Sequence, residues 1–172
     1  GFGTANFTIT FWYRCTAYPG DNASLVFTKS TDGSRFLDIF FNNNTTTRFT
    51  VQGSGGSGQK VDTSVTVTAA QQIGSWIQIV LRREAAATQS FVIHPLDASA
   101  VSTTDETSKT PADVDSDSAY GFRFGGGYDE THEYGTPSYA QFAFPRIWVG
   151  EAITDAQVDA LYESGARMLR GT

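Results

Sequence analysis

One stretch carries a complete helix signal, and nothing else in the 172 residues matches it. Thr154 stands where an N-cap belongs, and Gln157 three residues on completes the capping-box spacing. Ile153 before the cap and Val158 at the fourth helical position suit a hydrophobic staple. Asp155 puts a carboxylate in the first turn, where the helix dipole favours it. Val158, Leu161 and Tyr162 share one face, and Gly165 is expected to stop the helix. A lone amphipathic helix must bury its stripe on another layer, and the rest of the chain reads as strand. The helix therefore has to lie on a sheet. Just before it, Phe142, Phe144, Ile147, Trp148 and Val149 form an apolar, β-prone run expected to be a buried strand.

The strands are legible by alternation. From Phe7 to Thr16, Phe, Ile, Phe, Tyr and Cys occupy one face, with Thr, Thr, Trp, Arg and Thr on the other. Trp12 on that second face implies that it is covered as well. Leu25 to Thr28, Phe36 to Phe41, Arg48 to Val51 and Val61 to Thr68 read as further strands, with turn chemistry at Tyr18 to Asn22 and Thr31 to Ser34. Trp76 to Arg82 is nearly continuously apolar, as a strand buried on both faces would be. Phe91 to His94 is its expected partner across the Ala85 to Thr88 loop. Tyr120, Phe122 and Phe124 alternate before Gly125-Gly126-Gly127 breaks the pattern.

Two stretches read as loops. Gln52 to Gln59, QGSGGSGQ, has linker composition. It is taken as a surface loop within one domain, because neither half of the chain would hold a complete core. It lacks the Lys-Ser/Thr ending of a phosphate loop. Asp97 to Ser118 is acidic and rich in Ser and Thr, and reads as a solvated loop.

Composition narrows the class. Thirteen Phe, three Trp and seven Tyr supply a substantial core for a single domain over residues 1–172. The net charge of −6 argues against a nucleic-acid or anionic-membrane surface, which wants a basic face. No apolar run approaches a membrane span, so no membrane insertion is expected. Cys15 is the one cysteine, which rules out an internal disulfide, and its place in the alternation makes it a buried thiol. The chain starts at Gly1 and is expected to be a processed product or a segment of a longer polypeptide.

Three stretches resemble laminin-G-like, concanavalin A-like jelly-roll domains. RIWVGEAITDAQVDALYESG resembles their closing segment through Arg146, Ile147, Trp148, Ala152, Ile153, Thr154, Gln157, Val158, Leu161 and Tyr162. FTITFWYR, Phe7 to Arg14, resembles their opening strand, and SWIQIVLRRE, Ser75 to Glu84, their central strand. The resemblance implies an all-β fold, an antiparallel β-sandwich of jelly-roll type with one short C-terminal-side helix. His94-Pro95-Leu96 stands where members often carry an Asn-Gly or Asp-Gly turn.

The loop Gly125 to Tyr139 is richest in chemistry. Asp129, Glu130 and Glu133 could supply oxygen ligands to calcium. Tyr128, His132 and Tyr134 beside those carboxylates suit a sugar, whose faces are apolar and edges polar. Calcium is the one cofactor the sequence points to, and a solvated acidic loop is the alternative. Asn43 and Asn44, in the connector Asn42 to Thr46, form a second candidate ligand site, and the same connector fits the glycosylation triplet, as do Asn6 and Asn22. His132-Glu133 does not extend to a zinc-protease motif, because Gly135 and Thr136 follow and no second histidine is near. A retaining glycosidase of this fold would need close paired carboxylates on a strand, resembling E-x-D-x-x-E, and no strand has that spacing.

The expectation is thus a non-catalytic module that binds carbohydrate or mediates adhesion on an extracellular or virion surface, its partner a glycan or a protein surface. Two alternatives stand beside it: a structural decoration or fibre module docking on assembly partners, and a jelly-roll β-glucanase.

Overall fold

The structure, a computed structural model, describes residues 5–16, 23–29, 35–42, 48–55, 60–66, 74–84, 88–105, 123–125 and 140–171. These form two five-stranded antiparallel sheets and one helix. Sheet I has the order β10 (Ala140–Val149), β1 (Phe7–Cys15), β6 (Ile77–Glu84), β7 (Thr88–Pro95), β8 (Val101–Asp105). Sheet II has the order β5 (Lys60–Thr66), β4 (Arg48–Gly55), β3 (Arg35–Asn42), β2 (Ala23–Lys29), β9 (Arg123–Phe124). The helix α1 spans Asp155–Leu169.

The alternation of β1 decides the layering. Phe7, Ile9, Phe11, Tyr13 and Cys15 pack with Ile77, Ile79, Leu81, Phe91 and Ile93 on one face of sheet I, against Leu25, Val26 and Ile39 of sheet II. The opposite face of β1 is buried too, because α1 lies on it: Trp12 clusters with Tyr162, Ala166 and Leu169. The β6 run is apolar on both faces for the same reason, with Val80 packing on Ile153 and Val158. Thr8, buried among them, is satisfied: its hydroxyl donates to the Glu151 carbonyl at 3.2 Å and accepts from the Ile153 amide at 3.0 Å. That bond fixes the entry to α1 on β1.

The capping box forms as the spacing predicts. The Thr154 hydroxyl accepts from the Gln157 amide at 3.3 Å, and the Thr154 amide donates to Gln157 Oε1 at 2.7 Å. The staple forms as well, Ile153 and Val158 sharing one cluster. Gly165 does not stop the helix. It sits within α1 against the Trp12 indole, where an added Cβ would collide with the indole nitrogen and stand 2.8 Å from Cε2. Glycine is there for close approach, and the helix continues to Leu169, with Arg170 as its C-cap.

Three further expectations are corrected. Gln52 to Gly55 belong to β4, paired with β3 from Asp38 to Arg35, so half of the glycine-rich stretch is ladder. Val101 to Asp105 form β8 on the edge of sheet I, within the stretch read as loop. The run Phe142 to Val149 is an edge strand, and Ile147 and Val149 are 39% and 62% exposed. A register shift opposite Phe11 interrupts that strand, with Phe144 at φ 50° followed by Pro145. Proline has no N–H to give a ladder, so it belongs at an edge or a bulge, and here it has both. Among the described residues, no helix is long and apolar enough to cross a membrane.

Candidate functional site

Tyr128, Asp129, Glu130, His132, Glu133 and Tyr134 lie outside the described residues, as do Asn43 and Asn44. What the structure does show is where the chain leaves and re-enters around them. Phe124 ends β9, and Gly125, at φ 74°, donates its amide to the Leu25 carbonyl at 2.8 Å. After residue 139 the chain returns as β10, whose Phe142 contacts both Phe11, at 6.0 Å between ring centroids, and Phe124, at 6.2 Å. Phe11 and Phe124 meet edge to face at 5.6 Å. This triangle of rings joins the two sheets, so the loop is tethered at both ends to the core.

The register also relates the two candidate segments. β9 runs antiparallel to β2, pairing Phe27 with Arg123 and Val26 with Phe124, so the chain leaves Phe124 toward the Ala23 end of β2. That is where Ala23 pairs with Phe41, beside Asn42 and Arg48, the residues flanking the second candidate connector. Asn42, Arg48 and Phe124, which lead into or out of those segments, therefore stand toward one end of sheet II. β10 begins opposite Cys15, the end of β1 from which the chain crosses to β2.

The second face of sheet I is closed by α1. At the helix start, Arg82 spends its donors on the protein: Nε on Ser90 Oγ at 3.0 Å, Nη1 on the Ile153 carbonyl at 3.0 Å, and Nη2 on Asp155 Oδ1 at 2.6 Å. A crevice of about 380 Å³ opens beside it, lined by Arg82, Glu84, Ser90 and residues 152–155. It lies at the small end of the range for ligand pockets, roughly 300–1,000 Å³. Each nitrogen of the Arg82 guanidinium already holds one protein partner.

On sheet II, cross-strand register sorts residues into rows. Phe124, Val26 and Ile39 are one core row, continued by Val51 and Thr63. The next row is Arg123, Phe27, Asp38, Gln52 and Asp62. Neighbouring rows of a pleated sheet alternate between its faces, so this second row is out of phase with the row of Val26 and Ile39. The rows two positions either side are in phase with it. They hold Phe40 with Thr50 and Ser64, and Phe36 with Ser54 and Lys60. The sequence reading missed these rows. Their signal was present in RFLDIFFN, where Phe36 and Phe40 alternate against Leu37, Ile39 and Phe41. Aromatic residues on both faces of one strand are unexpected if one face is merely solvated. Only the register shows which residues of β4 and β5 join them. Among the described residues, no group of three or more His, Cys, Asp or Glu could hold a metal ion.

Known proteins bear on the fold. The family whose model matches this chain is a laminin G family described as the concanavalin A-like lectin/glucanases superfamily, and it matches residues 1–158. A comparison with curated protein sequences gives no match. Among solved structures, the botulinum neurotoxin serotype G binding domain superposes with a TM-score of 0.66 at 12% identity, covering 95% of this chain and 37% of that one. A botulinum neurotoxin type C structure, described by its dependence on two ganglioside molecules for cell entry, gives 0.58 at 10%, covering 93% and 36%. The enzymatically active domain of tailspike protein 2 of bacteriophage CBA120 gives 0.63 at 12%, covering 87% and 23%. This chain thus spans well under half of each of those chains, and at such identities the likeness is one of fold.

Proposed function

We propose that this chain, which belongs to the concanavalin A-like lectin/glucanases superfamily, is a non-catalytic recognition module that binds carbohydrate outside the cell or on a virion surface. The observation that carries this reading is the second face of sheet II. There Phe27 falls in one row with Asp38, Gln52 and Asp62, and Phe36 and Phe40 stand two positions to either side of Asp38 on β3. Aromatic rings beside hydrogen-bonding side chains are the chemistry a sugar asks for, since its ring faces are apolar and its edges polar. The candidate loops depart from one end of that sheet. Tyr128, Asp129, Glu130, His132, Glu133 and Tyr134, with Asn43 and Asn44, are assigned to the rim of the same site. Calcium held by Asp129, Glu130 and Glu133 would be its cofactor. A neurotoxin neighbour described by its ganglioside interaction fits such a ligand class, whereas the tailspike neighbour is enzymatically active. The non-catalytic choice rests on the carboxylate spacing: strand residues two apart share a face, and no strand carries E-x-D-x-x-E.

A glycan array probed with the chain tests the reading. Selective binding that is lost in Asp38→Ala/Phe40→Ala supports it, and hydrolysis of a bound glycan would replace it with the enzyme alternative. Calorimetric titration of calcium into the wild type and into Asp129→Ala/Glu133→Ala tests the rim, because equal binding by both removes those carboxylates. The second reading, a module docking on protein in an assembly, is favoured by one observation: Ile147 and Val149 are exposed on the edge strand β10. Binding to no glycan would favour it.

A further inference from the structure

Three contacts fasten the second half of α1 to the end of β7 and the turn after it, and the first is made by His94. Its imidazole lies flat on the Tyr162 ring, 3.5 Å between centroids and 6° between planes. The Tyr162 hydroxyl donates to the Pro95 carbonyl at 3.1 Å and accepts from the Asp97 amide at 3.2 Å. Arg170 at the helix end pairs with Asp97 at 2.6 Å. Tyr162 in turn stacks on Trp12 at 5.4 Å, so the same ring holds the helix on β1. Of these fastening groups, only an imidazole changes charge at moderately acid pH.

We propose that His94 is an acid-sensitive latch for α1: the neutral ring stacks on Tyr162 and holds the helix on sheet I, and the protonated ring leaves the stack and loosens it. The charges around it are arranged for two states. On α1, Asp159 and Glu163 stand four residues apart on one helix face, near enough to favour the imidazolium. On β6, Gln78 pairs directly with His94 and with Trp12, is 1% exposed, and has no hydrogen-bond partner for Oε1 among the described residues. In the turn after β7, the backbone at Ala98 also favours the charged form. Burial outweighs all of these and holds the His94 pKa below its ordinary 6.5. An imidazolium in the stack would lose hydration, whereas one displaced toward Asp159 and Glu163 would gain counter-charges.

The direction of the pH effect follows. Above pH 6.5 the ring is neutral folded or unfolded, and the latch contributes fully. As pH falls below that value the unfolded chain takes up a proton that the docked state resists, so stability drains away until the lower folded value is passed. The loss is expected first in α1, because the stack joins the helix to the sheet.

Hydrogen exchange of the α1 amides at about pH 8 and about pH 5, corrected for intrinsic rates, tests the latch in the wild type and in His94→Phe. Phenylalanine keeps a flat ring on Tyr162 and cannot titrate. The wild type should lose protection across Asp155–Leu169 in acid while β1 and β6 keep theirs, and His94→Phe should show no such selective loss. His132→Gln should follow the wild type. Equal acid loss in the wild type and His94→Phe would overturn the proposal. NMR titration of the His94 ring in the wild type decides the matter even if His94→Phe does not fold: a midpoint at or above 6.5 contradicts the latch. None of these readouts needs a ligand, so they stand or fall apart from the carbohydrate reading.

Discussion

Sheets I and II share a core, and on the proposed reading their second faces have opposite fates. On sheet I the face is spent on the fold: α1 and the segment leading into it cover Trp12, Val80 and Thr8, and Gly165 lets the helix come down onto the Trp12 indole. On sheet II, Asp38 of β3 is in register with Gln52 and Asp62, with Phe36 and Phe40 two positions to either side along the strand. On the proposed reading, one sandwich separates stability from recognition. A face closed by a helix is fixed by packing, and its residues answer to volume. A face left to its own rows can answer to a ligand.

If that division holds, the largest effect belongs to the closed face. Trp12→Ala should cost about 3–5 kcal/mol in urea unfolding, because it removes the ring on which Tyr162, Ala166 and Leu169 close. A cost below about 1 kcal/mol, in the range of a surface change, would mean the helix is not packed there. Gly165→Ala comes next and is sharper in sign. An exposed helical glycine gains roughly 0.5–1 kcal/mol on becoming alanine. Here overpacking against the indole should reverse that, for a net loss of about 1–3 kcal/mol. Thr154→Ala should cost about 1 kcal/mol by removing the cap. Asp38→Asn, on the other face, should shift stability by less than about 0.5 kcal/mol while weakening glycan retention on the array. A stability loss as large as that of Gly165→Ala would make Asp38 part of the fold and erase the contrast.

What the sequence shows of this division depends on how local the physics is. The alternation of β1, the cap at Thr154 and the burial of Cys15 follow from neighbours along the chain, and all three are found. That Trp12 needed a cover could also be inferred, because a tryptophan sat on the second face of a strand. Gly165 could not be read correctly. A glycine near a helix end looks like a stop, and only the indole from another element shows that it is a contact. Gly53 and Gly55 look like linker, yet backbone pairing with Leu37 and Arg35 needs no side chain. β8 is missed because VSTTD holds one apolar residue, which leaves no alternation to read. The rows of sheet II span up to five strands, and their register is set by the whole sheet. The candidate loop residues from Tyr128 to Tyr134 lie outside the described residues, so only their tethers, Phe124 and Phe142, can be placed.

The most direct test of the division is one glycan array run on three proteins: the wild type, Asp38→Ala/Phe40→Ala on sheet II, and Thr154→Ala beside the crevice of sheet I. The account predicts a selective signal for the wild type, the same signal for Thr154→Ala, and its loss in the sheet II variant while that variant still unfolds cooperatively. A signal that survives in the folded sheet II variant but vanishes in Thr154→Ala would place recognition on the helix side and contradict the account.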